Sequence, residues 1–352
     1  MKKQFLVLAL FASLVVHQAS AQTLITQVKP VGSKFWGYAN LKGELVIPAQ
    51  YEKCYRFSED GYATIYDNKA RQYFFINPKG ERLTTEIASF KLNDGFGFDL
   101  EGFKNGLVGI KVGEKWGFLN TEGKLAIPAK YDYVSEFNGG YAVAKLGATY
   151  IVLNTKGVEA LVQGAPVLEI KDFSENLAPF RSSDKKFGFI GTDGKIAIPA
   201  QFESVGYFRD GLAWAKTVSG SLGYINTKGE WAIQPQFDAG KNFDPSTGLA
   251  RIKTTSGNWA YVNKAGELTY VNDTEAWGDF SDGLADGKKG DKKGFYDSKG
   301  KWVIQPQFDG VRDFKNGYAA AKLGDRWGII DKTGKWVIQP TFDGIKDMEA
   351  VR

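Results

Sequence analysis

The sequence predicts an all-β fold assembled from tandem repeats, and three observations predict it. A motif of roughly 35 residues recurs along the chain, a period that marks repeat architectures. No window carries helical periodicity over ten or more residues, whereas short alternating segments are common. The composition favours strands and tight turns, with 42 Gly, 25 Phe, 16 Tyr and 9 Trp against 11 Pro in 352 residues.

The repeat is plainest in KGFYDSKGKWVIQPQFDGVRDFKNGYAAAK from Lys293 and WGIIDKTGKWVIQPTFDGIKD from Trp327. Further copies begin at Trp36, Trp116, Phe187 and Leu222, and three eroded ones at Tyr73, Tyr150 and Trp259. One turn glycine marks each copy: Gly43, Gly80, Gly123, Gly157, Gly194, Gly229, Gly266, Gly300 and Gly334. Their intervals are 37, 43, 34, 37, 35, 37, 34 and 34 residues, which leaves no room for a separate catalytic domain or an interdomain linker.

Each copy reads as three short strands. The first carries the aromatic-Gly-aromatic segment, such as Trp36-Gly37-Tyr38, and ends on Asn or Asp three residues before the turn glycine in eight copies, Gly191 being the exception. Asn or Asp opening a type I turn, with glycine at its fourth position taking the positive φ of a following bulge, predicts a hairpin. The second strand, of the type Lys301-Trp302-Val303-Ile304, is stopped by Pro306, or by Pro48, Pro128 or Pro199 in the other variant, because proline cannot donate to a ladder. The third follows a Phe and a Gly, as in Phe314 then Gly317-Tyr318-Ala319-Ala320-Ala321.

The pattern resembles the WG repeat family of bacterial β-repeat proteins, through the Trp-Gly pairs at Trp36-Gly37, Trp116-Gly117 and Trp327-Gly328 and their recurrence over the whole chain after the N-terminal stretch. The second, fourth and seventh copies depart from it by lacking the Ile-Pro segment, and Ala260 replaces the glycine; these read as distorted units. The resemblance implies an architecture and an interaction role more than a reaction.

Two shortages exclude most catalytic repertoires. The single histidine, His17, lies in an N-terminal stretch with Lys2 and Lys3, an apolar run from Phe5 to Val16, and Ala19-Ser20-Ala21. That is the layout of a signal peptide covering residues 1–21, cleaved after Ala21, leaving residues 22–352 as one repeat domain secreted or periplasmic. A chain without that histidine has no Ser-His-Asp or Cys-His triad and no imidazole metal site, so neither cofactor nor metal is expected. The single cysteine, Cys54, forms no internal disulfide. Removing Lys2 and Lys3 leaves 43 basic and 40 acidic residues, a balance that gives no electrostatic case for nucleic acid. No second apolar stretch approaches the ~20 residues of a transmembrane segment. The lysines at 288, 289, 292 and 293, interleaved with glycine and aspartate, read as a solvated turn.

Comparing the copies with one another assigns roles. Trp231, Trp302 and Trp336 share a position with Leu45, Leu125, Ile196 and Leu268, hence packing rather than ligand stacking. Cys54 fills a slot held elsewhere by Val134, Ile170, Val205 and Val311, hence a small apolar group. The acids after the second-strand aromatic, Glu52, Asp132, Glu203, Asp238, Asp309 and Asp343, recur once per copy, too sparsely for a calcium site, and read as turn caps. Three residues after the third-strand glycine stand Thr64, Gly109, Val143, Trp214, Arg251, Asp286 and Ala320, with Pro179 in the copy where Asn176 replaces the glycine. Chemistry so mixed predicts a surface position, making Trp214 and Arg251 the candidate ligand-binding residues.

The phase of the repeats bears on topology. The chain stops after Asp347-Met348-Glu349, where a third strand is due, while Leu24-Ile25-Thr26-Gln27-Val28 looks like a third strand lacking its hairpin. Pairing the two ends makes a closed, propeller-like ring; otherwise the array is solenoid-like. The expectation is a non-enzymatic scaffold for a protein or envelope component. A glycan-binding module using exposed aromatics is the alternative, and a hydrolase using two carboxylates the third reading.

Overall fold

The computed structural model describes residues 23–92, 102–164 and 166–351. The expected signal peptide, with His17, lies outside them. Among the described residues every regular element is a β-strand, and no helix is long and apolar enough to cross a membrane.

The hairpins form where the turn residues dictate. In the first copy Asn40 Oδ1 accepts hydrogen bonds from Lys42 N at 2.9 Å and Glu44 N at 3.1 Å, and Gly43 takes φ 77°. Only a residue without Cβ occupies that left-handed conformation cheaply. In the fifth copy Asp193 Oδ1 takes over, accepting from Lys195 N at 3.0 Å.

Each unit is an antiparallel meander running from the inside of the molecule outward. Unit six shows all of it: inner strand Ser204–Val205, second strand Leu212–Lys216, WG strand Leu222–Asn226 and outer strand Trp231–Gly240. The inner strand adds a fourth to the three expected. It is two residues long there, at Tyr133–Val134 and at Gly310–Val311, and follows the outer strand with no turn between, so no turn residue announces it. The strands Trp231–Gly240 and Trp336–Ile345 run unbroken from one unit into the next.

Closure of the ring is observed directly. Strand Thr23–Pro30 pairs on one side with Trp36–Asn40 and on the other with the C-terminal end of Trp336–Ile345 and with Glu349–Val351. The ninth unit hands over to the first as every other unit does. The turn glycine of one unit sits over the outer-strand isoleucine of the unit before: Gly80 over Ile47, Gly157 over Ile127, Gly229 over Ile198, Gly334 over Ile304, and Gly43 over Ile338 across the junction of the chain ends. A closed ring leaves no unit face exposed at an end, which an open array must cap.

The core lies between units. The aromatic after the WG glycine meets the inner-loop phenylalanine of the next unit edge-on: Tyr38 with Phe57, Phe118 with Phe137, Phe189 with Phe208, Tyr224 with Phe243 and Phe295 with Phe314, with ring centroids 4.6–4.9 Å apart. Such pairs contribute about 0.5–1.5 kcal/mol each beyond the area they bury. Trp231 and Trp336 pack edge-on against Phe202 and Phe308 of the preceding outer strands, the packing role their position implies. Cys54 is half-buried beside Tyr51 and Phe74, and burial pushes its thiol pKa up.

The Trp-Gly pair has a structural cause that couples it to the Ile-Pro segment. Gly37, Gly117 and Gly223 have no left-handed φ; what they lack is room. A Cβ on Gly117 would fall 2.5 Å from Ile127 O and 2.7 Å from Ala129 N, because the outer strand bulges over the glycine at that point. The register shows the bulge, since Trp116 pairs with Tyr131 while Phe118 pairs with Ile127. Units four and seven, with Ile151 and Ala260 in place of the glycine, pair without any shift, and their outer strands shrink to Glu159–Leu161 and Leu268–Thr269. The copies expected to be distorted thus lose the bulge and most of the outer strand, the second keeping at that place only the isolated bridge between Ile76 and Arg82.

Candidate functional site

The inner loops converge on a central channel. A cavity of about 780 Å³ is lined by Arg56 to Asp60, Phe103 to Asn105, Phe137 to Gly139, Arg209, Lys315, Asn316, Glu349 and Ala350, from units one, two, three, four, six and nine. That volume lies within the range of ligand pockets.

Each loop follows Phe-x-(Asp/Asn)-Gly or a near variant, and its shape follows from it. Lys104 N donates to Leu107 O at 2.8 Å and Leu107 N to Lys104 O at 3.1 Å, while Asn105 and Gly106 take φ 54° and 79°. Two consecutive positive φ values make a two-residue type I′ hairpin, for which Asn-Gly and Asp-Gly are the preferred sequences. Asp210-Gly211, Asp282-Gly283 and Asn316-Gly317 repeat it. The sequence reading passed over these loops; the Asn-Gly and Asp-Gly dipeptides are the signal from which the hairpin rule could have found the turns, though not their convergence on a channel.

The loops are also tied to one another around the ring. Gly106 N donates to Asp60 Oδ2 at 2.8 Å, Gly140 N to Asn105 Oδ1 at 3.0 Å, and Gly317 N to Asp282 Oδ2 at 2.5 Å. Asp210 N and Gly211 N both donate to the Glu175 carboxylate, at 2.6 and 2.9 Å. Ser174 and Ser281 hydroxyls donate to Phe208 O and Phe314 O in the following units, at 2.7 and 2.8 Å. The backbone of the channel mouth is thereby fixed while the residue after each loop phenylalanine, or after Met348 in unit one, varies: Ser58, Lys104, Asn138, Arg209, Lys315 and Glu349. Lys104 pairs with Glu136 at 2.9 Å, and Lys315 with the buried Glu349 at 2.6 Å. Burial raises the Glu349 pKa, and the Lys315 ammonium opposes that rise.

The carboxylates just ahead of the loop phenylalanines, and of Met348 that replaces one in unit one, show a second pattern. Asp279, Asp313 and Asp347 follow one another in units eight, nine and one. Arg251 pairs with Asp279 at 2.8 Å and Arg312 with Asp347 at 2.5 Å. The Asp313 pKa is raised, by burial first and then by the negative charges of Asp286, Asp347 and Asp279.

The residues singled out from copy-to-copy variation lie elsewhere. The slot of mixed chemistry faces the neighbouring unit, not solvent: Thr64, Val143 and Ala320 are fully buried there, and Trp214 and Arg251 half-buried. Trp214 packs on the cluster between units six and seven, its indole so close over Gly206 that no side chain fits there. Arg251 reaches into unit eight, pairing with Asp279, donating to Trp277 O and lying 5.0 Å over the Trp259 ring. The two occupy successive unit interfaces, are not brought together, and do not line the channel. The slot tolerates such variety because its opposite partner changes with it: glycine at 206 faces Trp214, and glycine at 278 faces Asp286.

Three of the six recurrent acids, Asp132, Asp309 and Asp343, accept backbone hydrogen bonds from turns, Asp343 from Gly32 N at 2.8 Å. Asp132 accepts from Gly147 N at 2.6 Å and pairs with Lys115 at 2.5 Å; Asp309 does the same with Gly324 N at 2.7 Å and Lys292 at 2.5 Å. Of the lysines at 288 to 293, Lys289, Lys292 and Lys293 are held in ion pairs with Asp273, Asp309 and Asp286.

Among curated proteins no sequence matches the chain. Among solved structures, the computationally designed Ika8 protein is similar, with 11% identity, 80% of this chain and 93% of that chain covered, and a TM-score of 0.43. Hsv2 from Kluyvelomyces marxianus gives 8% identity, 75% and 99% coverage and a TM-score of 0.37, and Sqt1 from Saccharomyces cerevisiae 13%, 66%, 81% and 0.35. The family model described as WG containing repeat matches residues 36–69, 116–150, 187–217, 223–259, 294–327 and 327–349, more than half of the chain and the six units whose glycine lies under the Ile-Pro bulge. With the repeat, its glycine and the reason for that glycine in agreement, the chain belongs to the WG containing repeat family.

Proposed function

We propose that this chain is a non-enzymatic scaffold acting outside the cytoplasm, which presents the mouth of its central channel to a protein or cell-envelope partner. The observation that carries this reading is the division of labour in the inner loops. Their backbones are tied to one another between neighbouring units, while the residue at the matching position ranges over Ser58, Asn138, Lys104, Lys315, Arg209 and Glu349. A rigid frame with variable side chains limits the conformational entropy lost on binding and leaves specificity to those side chains. The N-terminal layout of basic residues, apolar run and small residues supports an extracytoplasmic location.

The test is a pull-down from an envelope fraction using the chain from Gln22, in parallel with an Arg209→Glu/Lys315→Glu double variant, read by mass spectrometry. One partner retained by the wild type and lost by the double variant supports the reading. Partners captured equally by both chains would refute the channel mouth as the contact.

A further inference from the structure

Taking the channel mouth as the contact surface, a reading on which this inference rests, we propose that the central channel receives an acidic peptide segment of the partner. The cavity of about 780 Å³ is lined by four cations, Arg56, Lys104, Arg209 and Lys315, and by three acids, Glu59, Asp60 and Glu349. That near balance becomes one-sided once the groups already engaged inside the protein are set apart.

Most of the acids are engaged. Asp60 accepts from Gly106 N at 2.8 Å, and the buried Glu349 holds the Lys315 ammonium at 2.6 Å. In that pair the lysine side chain is 38% exposed and the glutamate side chain 11%, so the cation meets the solvent and the carboxylate lies beneath it. Lys104 pairs with Glu136, which does not line the channel. Among the described residues Glu59 is the one lining acid whose carboxylate has no partner.

The donors are less engaged. The exposed Arg209 guanidinium makes no hydrogen bond or ion pair with a described residue. Asn105 uses its carbonyl oxygen on Gly140 N at 3.0 Å, which leaves the N–H groups of its amide without a partner, and the exposed Asn138 amide has none. Lys315 reaches Glu349 through one of its three N–H groups. An occupant of this space therefore has to bring acceptors. Ionised acceptors suit it best, because a charge-assisted hydrogen bond is roughly twice as strong as a neutral one.

Placement separates a peptide from a compact anion. The four cations stand on units two, three, six and nine, distributed around the wall instead of gathered on one loop. A single phosphate suits a cluster of cations. Carboxylates spaced along an extended segment suit cations spaced around a wall, and the Asn105 and Asn138 amides can donate to its peptide carbonyls.

The experiment is calorimetric titration of the chain from Gln22, which contains the whole ring, with hexaglutamate, hexalysine and tripolyphosphate at low and high salt. Hexaglutamate is expected to bind, and to bind more weakly at high salt. Arg209→Gln and Asn138→Asp should each weaken it at least about fivefold, and Glu59→Gln should tighten it. Lys289→Gln, which removes an ammonium paired with Asp273 outside the channel, should bind as wild type. All four side chains are exposed, so melting temperatures should stay unchanged. No heat from hexaglutamate up to about 1 mM, heat from hexalysine instead, tripolyphosphate binding as tightly, or equal affinity in Arg209→Gln would overturn the proposal. An envelope protein lost by the Arg209→Glu/Lys315→Glu variant, with no hexaglutamate binding, overturns the acidic assignment and leaves the scaffold reading standing. Hexaglutamate binding with envelope capture equal in both chains refutes the scaffold reading and supports the channel as an acid-binding site.

Discussion

Replacing Gly117 by alanine puts a methyl carbon 2.5 Å from Ile127 O, 2.7 Å from Ala129 N and 2.8 Å from Ala129 Cα. All three obstacles are backbone atoms of the bulged outer strand. They must retreat by about 0.9 Å to restore ordinary contact, which strains both the bulge and the seat of Ile127 under Gly157 of the next unit. Overpacking against atoms with no rotamer to escape into costs about 3 kcal/mol, the upper part of its usual range. With an unfolding entropy of ~2.1 cal/mol/K per residue over about 330 residues, that lowers Tm by about 4 °C. Calorimetry checks it against the reverse change in a unit without the bulge: Ala260→Gly loses only backbone stiffness and one buried methyl, about 1 kcal/mol, and so about 1–2 °C. A Gly117→Ala protein melting within 1 °C of wild type, or no more perturbed than Ala260→Gly, would refute the steric account of the Trp-Gly pair.

Two further outcomes test closure and electrostatics. Val28, fully buried in the closing strand, pairs with Gly37 and Ile345, so Val28→Asp places an unpartnered charge at the junction and costs about 3 kcal/mol or more. Small-angle scattering should give a radius of gyration near 20 Å for the wild type and an expanded particle for the variant, whereas an elongated wild-type profile contradicts the ring. The folded-state pKa of Asp313 lies above its unfolded value, so the folded state binds the proton more tightly and stability falls as pH rises through that window. Asp313→Asn should therefore melt higher than wild type at pH 7 and lose that advantage below about pH 4; a variant less stable at pH 7 would show that the carboxylate is held by attraction instead.

Much of this molecule is set by short-range rules, and those parts are legible residue by residue. Asn40 to Gly43 and its repeats make a type I turn and bulge wherever the chain meets them, because side-chain acceptor and positive φ are both local. Aspartates such as Asp132 and Asp309 cap turns about 15 residues away, within one hairpin-scale neighbourhood that recurs with the repeat. The same locality made the channel loops findable from Asn105-Gly106 and its relatives. Even the phase of the two chain ends is a property of the sequence, and it anticipates the pairing of Thr23–Pro30 with Glu349–Val351.

What the sequence left open is what depends on neighbours outside the unit. Variation at the Trp214 and Arg251 slot looks like solvent exposure when copies are compared one at a time. In the ring that slot is enclosed by the next unit, and its volume is balanced by Gly206 or Gly278 on the other side. The Trp-Gly glycine likewise has no local conformational need; its cause is a strand bulge folded over it from farther along the chain. The channel and its tied loops bring together residues from three or more units, and their juxtaposition exists only once the ring has closed. By itself the sequence determined three of the four strands of the unit, its hairpin turns and the number of copies, because backbone preferences and side-chain caps act over a few residues. Which faces are buried and which groups meet was decided by the tertiary structure, because close packing between units is a property of pairs of surfaces.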